Sequence, residues 1–66
     1  MTRAEAAKLI DKLVVFSDRR YREEITYILR GVRIDKTTGI PYVVLQDRVV
    51  KNSYLRARLE DIRAAI

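Results

Sequence analysis

Apolar residues at Ala6, Leu9, Ile10 and Leu13 recur at i, i+3, i+4 and i+7, while Arg3, Lys8, Asp11 and Lys12 lie away from that stripe. This spacing predicts an amphipathic helix over residues 2–13, with its apolar face on the core. Thr2-Arg3-Ala4-Glu5 opens it as a capping box. The Thr2 hydroxyl takes the Glu5 backbone N–H, and the Glu5 carboxylate reaches back to the Thr2 N–H. Val14-Val15-Phe16 is β-branched and aromatic, and suits a short extended segment after the helix. Ser17-Asp18-Arg19-Arg20 then reads as a turn.

From Ile25 the period becomes two. Ile25, Tyr27 and Leu29 share one strand face, and Glu24, Thr26 and Arg30 the other. After Gly31 the apolar parity slips by one residue, to Val32 and Ile34. A slip at a glycine predicts a β-bulge at Arg30-Gly31, a device that bends a strand. Ile34-Asp35-Lys36-Thr37-Thr38-Gly39-Ile40 is a hairpin turn. Asp35 accepts a backbone N–H two residues on, and Gly39 supplies a positive φ. The next strand runs from Tyr42 to Leu45, with Pro41, which has no N–H, at its start or on a free edge.

The C-terminal segment supports two readings. Leu55, Leu59, Ile62 and Ile66 lie at helical spacing among good helix formers. Leu55, Ala57 and Leu59 also alternate with Tyr54, Arg56 and Arg58, as in a strand with one wet face. The run Leu45-Gln46-Asp47, then Lys51-Asn52-Ser53, then Leu59-Glu60-Asp61-Ile62 resembles small helix-plus-β-meander, SH3-like proteins of bacteria and their mobile elements, many of unknown role. The resemblance covers about the last half of the chain, which departs from it in the arginine-rich Tyr54 to Arg58 segment. It implies a strand over residues 53–59 and one helical turn over residues 60–64. The expected fold is therefore α+β: an N-terminal helix packed on a small, bent antiparallel sheet of three to four strands, an SH3-like barrel.

Sixty-six residues make one small domain, near the lower size limit for a self-sufficient core. Cysteine and histidine are both absent, which removes disulfides, the usual zinc ligands and the commonest catalytic base and nucleophile. No purely apolar run is longer than the four residues of Tyr42 to Leu45, far short of the roughly 20 residues a membrane helix needs. Thr2, Arg3 and Glu5 do not resemble a signal-peptide core. The chain reads as a complete cytoplasmic protein with no membrane segment, no cofactor, no metal and no catalytic residue. Glu23-Glu24 and Glu60-Asp61 read as solvated charges or partners of nearby arginines.

Charge adds a functional lead. Fourteen basic side chains, ten of them Arg, face nine acidic ones, for a net charge of +5. Arg offers a planar fork suited to phosphate and a surface that stacks on bases. Arg30 and Arg33 straddle the predicted bulge, and Arg56 and Arg58 project outward from the third predicted strand with Tyr54 in the same row. If that strand neighbours the Arg30 strand, an arginine-rich face with an aromatic results, able to neutralise phosphates of DNA or RNA and stack a base. The competing expectation is that Glu23, Glu24, Asp47, Glu60 and Asp61 cancel the patch. Tyr27 and Tyr42 read as core or cross-strand residues, and Tyr21 and Tyr54 as half-exposed. The alternative function is a protein-interaction module, monomer or homodimer, that docks an acidic partner through an edge strand carrying Pro41 or through the helix.

Overall fold

A computed structural model describes residues 1–65 of the chain; Ile66, one end of the apolar C-terminal series, lies outside them. In chain order the elements are helix α1 (Arg3–Lys8), β1 (Leu13–Asp18), β2 (Glu23–Ile34), β3 (Pro41–Gln46), β4 (Tyr54–Arg58), a 3-10 turn (Leu59–Asp61) and β5 (Ile62–Ala64). With 49% of residues in strands and 14% helical, this is a sheet protein rather than the expected helix on three or four strands. All five strands pair antiparallel in one sheet, in the order β4-β3-β2-β1-β5. The expected barrel is also corrected. The edge strands β4 and β5 are linked by the 3-10 turn, but no ladder joins them, so the sheet is not closed.

The capping box forms as the sequence predicts, with the Glu5 N–H donating to Thr2 Oγ1 and the Thr2 N–H to Glu5 Oε1, each at 3.1 Å. The Thr2 backbone N–H, and after it the Thr2 hydroxyl, donate to the Glu5 carboxylate and hold it below its ordinary pKa. The helix nevertheless ends at Lys8, well before Leu13. Asp11 takes a left-handed φ of 70°. Its N–H donates to the Leu29 carbonyl at 2.7 Å, and the Leu29 N–H donates to the Lys12 carbonyl at 3.0 Å. Pairing with β2 thus begins where the third helical turn would lie, and the β-branched Val14-Val15 run completes it. Only Ala6 and Leu9 of the apolar stripe reach the core; Ile10 and Leu13 stay exposed.

The bulge is where the parity slip places it. Leu29 pairs with Leu45 and Gly31 with Val44, leaving Arg30 without a register partner. The slip therefore keeps apolar residues inward on both sides of the bulge. The buried set is Ala6, Val14, Leu29, Val43, Leu45, Ala57, Leu59 and Ile62. Phe16 and Tyr27 pack against it in a T-shaped pair, ring centroids 6.2 Å apart. The predicted hairpin turn forms. Asp35 Oδ1 accepts the N–H groups of Thr37 and Thr38 at 2.8 and 3.2 Å, and Gly39 has a φ of 73°.

Near the C-terminus, the strand implied over residues 53–59 is present as Tyr54–Arg58. The helical turn implied over residues 60–64 is not. A 3-10 turn occupies Leu59–Asp61, and Ile62–Ala64 is a strand because it pairs with Val14, Val15 and Phe16 of β1. Those three β1 residues supply a ladder that local helix propensity does not anticipate. No helix among the described residues is long and apolar enough to cross a membrane.

Candidate nucleic-acid interface

Residues directly opposed in an antiparallel ladder project from the same sheet face. On β4, Tyr54, Arg56 and Arg58 alternate with Leu55 and the buried Ala57, so the first three line the outer face. Register carries that face across the sheet. Arg58 opposes Tyr42, which opposes Arg33, and Arg56 opposes Val44, which opposes Gly31. Tyr54 opposes Gln46, which opposes Ile28. The condition set for such a face, that the Tyr54 strand adjoin the Arg30 strand, is not met, because β3 lies between them. The arginines still meet across β3, for two physical reasons. Neighbouring strands lie about 4.8 Å apart, so Arg33 and Arg58 sit on Cα atoms about 10 Å apart. The middle strand also presents Tyr42 between them.

Tyr42 organises this face. The Arg56 guanidinium carbon lies 5.1 Å from the centre of its ring, a cation–π contact that holds the charge over the sheet. Arg33 lies over Gly31, its Nε 4.0 Å from where a Cβ would stand on that glycine. The guanidinium side of Arg33 thus lies along the sheet, at a distance an added methyl group would meet as ordinary van der Waals contact. Tyr54, 57% exposed, stands at the end of the row.

The expected neutralisation occurs in part, and with different partners. Arg58 pairs with Glu60 at 3.5 Å. Arg30 pairs with Asp11 at 2.6 Å, a carboxylate outside the set expected from sequence; the left-handed turn at Asp11 brings it beside the bulge. Glu24 pairs with Arg63 and Asp61 with Arg19, both away from the outer arginine cluster. Asp47 neutralises no arginine. Its Oδ1 accepts the N–H groups of Val49 and Val50 at 2.8 and 2.9 Å, and the hydrogen bonds from Val50 and Val49 hold its carboxyl below the ordinary aspartate range. Among the described residues Arg33 and Arg56 have no carboxylate partner within ion-pair distance.

Of the five residues singled out by sequence, Arg33, Tyr54, Arg56 and Arg58 share one face, and Arg30 is tied to Asp11 at its border. Sequence reasoning missed Tyr42 as the centre of the cluster. The available signal was its alternation with Val43 in a strand between two arginine-bearing ones. Tyr27 lies on the core side as anticipated, and Tyr21 is exposed in the β1–β2 loop. A separate cleft of about 320 Å³ opens beside Phe16, Ile25, Tyr27 and Leu55, with the Arg19–Asp61 ion pair on its rim. Comparison of the chain with family models, with curated proteins and with solved structures finds no match.

Proposed function

We propose that the chain is a cytoplasmic, non-enzymatic module that binds nucleic acid through its outer sheet face, directly or as an accessory of a nucleoprotein complex. Arg33, Arg56 and Arg58 contact phosphates, and Tyr54 stacks on a base or packs against a sugar. The observation that carries this reading is the grouping of three arginines around Tyr42, two of them without a carboxylate partner among the described residues. Arginines spread about 10 Å across three strands fit a polyanion better than a single small anion. The contacts named go to backbone and base faces, so these contacts themselves read no sequence.

Salt-titrated binding to fluorescent single- and double-stranded DNA and RNA tests the reading. Three phosphate contacts predict that log K falls against log salt with a slope of about −2.7 on duplex DNA and about −2.1 on single strands. Replacing Arg33 and Arg56 together by Glu abolishes binding at physiological salt if the reading holds.

A second reading rests on the free edge of β4, which borders β3 on one side only. An acidic extended peptide, or a second copy of the chain, would add a strand there. Pro41 is not on that edge; it opens β3, the strand between β2 and β4. This reading predicts no nucleic-acid affinity at physiological salt, and either a mass above 7.7 kDa or a stable protein partner.

A further inference from the structure

The β3–β4 loop, residues 47–53, presents two apolar side chains that the core does not use. Val49 is 86% exposed and Val50 57%. The loop around them is tied down. Asp47 Oδ1 accepts the Val49 and Val50 N–H groups at 2.8 and 2.9 Å, and Gln46 Nε2 donates to the Lys51 carbonyl at 2.8 Å. The Ser53 N–H donates to the Val50 carbonyl at 3.0 Å, and the Asp47 N–H to the Ser53 carbonyl at 2.9 Å. A pair of valines held in water by five hydrogen bonds is preorganised, so little ordering cost remains when it is buried against a partner.

Charge and position narrow that partner. Arg48 and Lys51 flank the valines, and the one carboxylate in the loop, Asp47, is turned onto backbone N–H groups. Gln46 opposes Tyr54 on the outer face, and its bond to the Lys51 carbonyl ties the loop backbone to the face that carries the arginines. An apolar tip between two cations, continuous with a phosphate-binding face, matches duplex DNA, whose anionic backbone encloses apolar base steps. We propose that this loop is a wedge. On duplex DNA held by the arginine face, Val49 and Val50 enter the minor groove and pry open a base step, kinking the helix. This rests on the nucleic-acid reading above and adds to it a preference for deformable duplex. Apolar side chains inserted at a step kink DNA toward the major groove, and pyrimidine–purine steps yield most readily.

The test uses the full chain and a 20-base-pair duplex with fluorophores at its ends, one version with a central TA step and one with a central A-tract. Wild type raises energy transfer between the ends and binds the TA duplex several-fold more tightly. The Val49→Ser/Val50→Ser variant has both changes in solvent and keeps the wild-type circular dichroism and thermal midpoint. It loses the rise in energy transfer and binds about tenfold more weakly. Arginine-dependent binding with equal affinity and an equally straight duplex for both proteins overturns the wedge and leaves the arginine face standing. No binding of wild type to either duplex overturns the wedge, and if single strands and RNA are not bound either, the arginine face is overturned with it. Valine-dependent capture by phosphatidylserine vesicles without DNA binding also overturns the wedge, and assigns the loop to an anionic lipid surface.

Discussion

The two glycines of the chain respond in opposite directions to the same substitution, because only one of them needs to be glycine. Gly39 has a φ of 73° with nothing within 4 Å of a built Cβ, so replacement by Ala meets no clash. Its whole cost is the left-handed backbone, about 1–2 kcal/mol for an L-residue. Gly31 lies beside the bulge without a positive φ, and an added Cβ meets only the Arg33 Nε, at 4.0 Å. There the methyl group fits, and the reduced freedom of the unfolded chain stabilises by about 0.4–1 kcal/mol. The two variants therefore differ by about 1.5–3 kcal/mol. For a domain of this size that separates their midpoints by on the order of 10 °C, with Gly31→Ala above wild type and Gly39→Ala below it. Thermal unfolding followed by far-ultraviolet circular dichroism measures both. A Gly31→Ala variant that melts below wild type by as much as Gly39→Ala would refute the bulge geometry on which the position of Arg33 depends.

Other expectations follow from the same residues. Leu45→Ala empties a fully buried position on β3 and costs about 2–5 kcal/mol; urea denaturation shows it largely unfolded, whereas Leu55→Ala, at its register partner with 36% exposure, remains folded. The carboxyls of Asp47 and Glu5 are held below their ordinary pKa by backbone hydrogen bonds from Val50 and Val49 and from Thr2. Both folded values lie below the unfolded ones, so their stabilisation is complete above the ordinary carboxylate range, about pH 4, and is lost as pH falls through the folded values. Carboxyl titration by NMR shows these two protonating later than free Asp and Glu as acid is added. Asp11→Asn keeps a residue type that tolerates the left-handed turn and removes the partner of Arg30. It changes stability by less than about 1 kcal/mol, as expected of an exposed ion pair, and steepens the salt dependence of duplex binding by up to about 0.9 in slope.

The fold class was not legible in the sequence, but several of its parts were, because their signals are local. Thr2 and Glu5 cap a helix through atoms three residues apart, and Asp35 and Gly39 close a turn within five. The slip from Leu29 to Val32 records the bulge directly, since one extra residue must change parity to keep both sides facing the core. What the sequence did not disclose depends on distant partners. The stripe through Leu13 continues helically on paper, but Lys12 and Leu13 are taken by β2. Ile62-Arg63-Ala64 has helix-forming residues, and only its ladder with β1 makes it a strand. The open sheet follows from that pairing too. At the candidate interface, alternation in Tyr54 to Arg58 placed three side chains on one wet face. Strand order, which no local pattern encodes, then put Tyr42 between them and Arg33. It also explains the partners of the outer charges: Asp11 reaches Arg30 across nineteen residues of sequence, a contact set by the β1–β2 pairing.

The proposed function stands on Arg33, Arg56 and Arg58 acting as one phosphate-binding face around Tyr42. The most direct measurement is the salt dependence of DNA and RNA binding by wild type and by the Arg33→Glu/Arg56→Glu variant, at equal thermal stability. A phosphate-binding face gives wild-type binding that persists at about 0.15 M salt, a duplex slope of about −2.7, and loss of binding in the variant. Absence of wild-type binding at that salt, or undiminished binding by a folded variant, would contradict it.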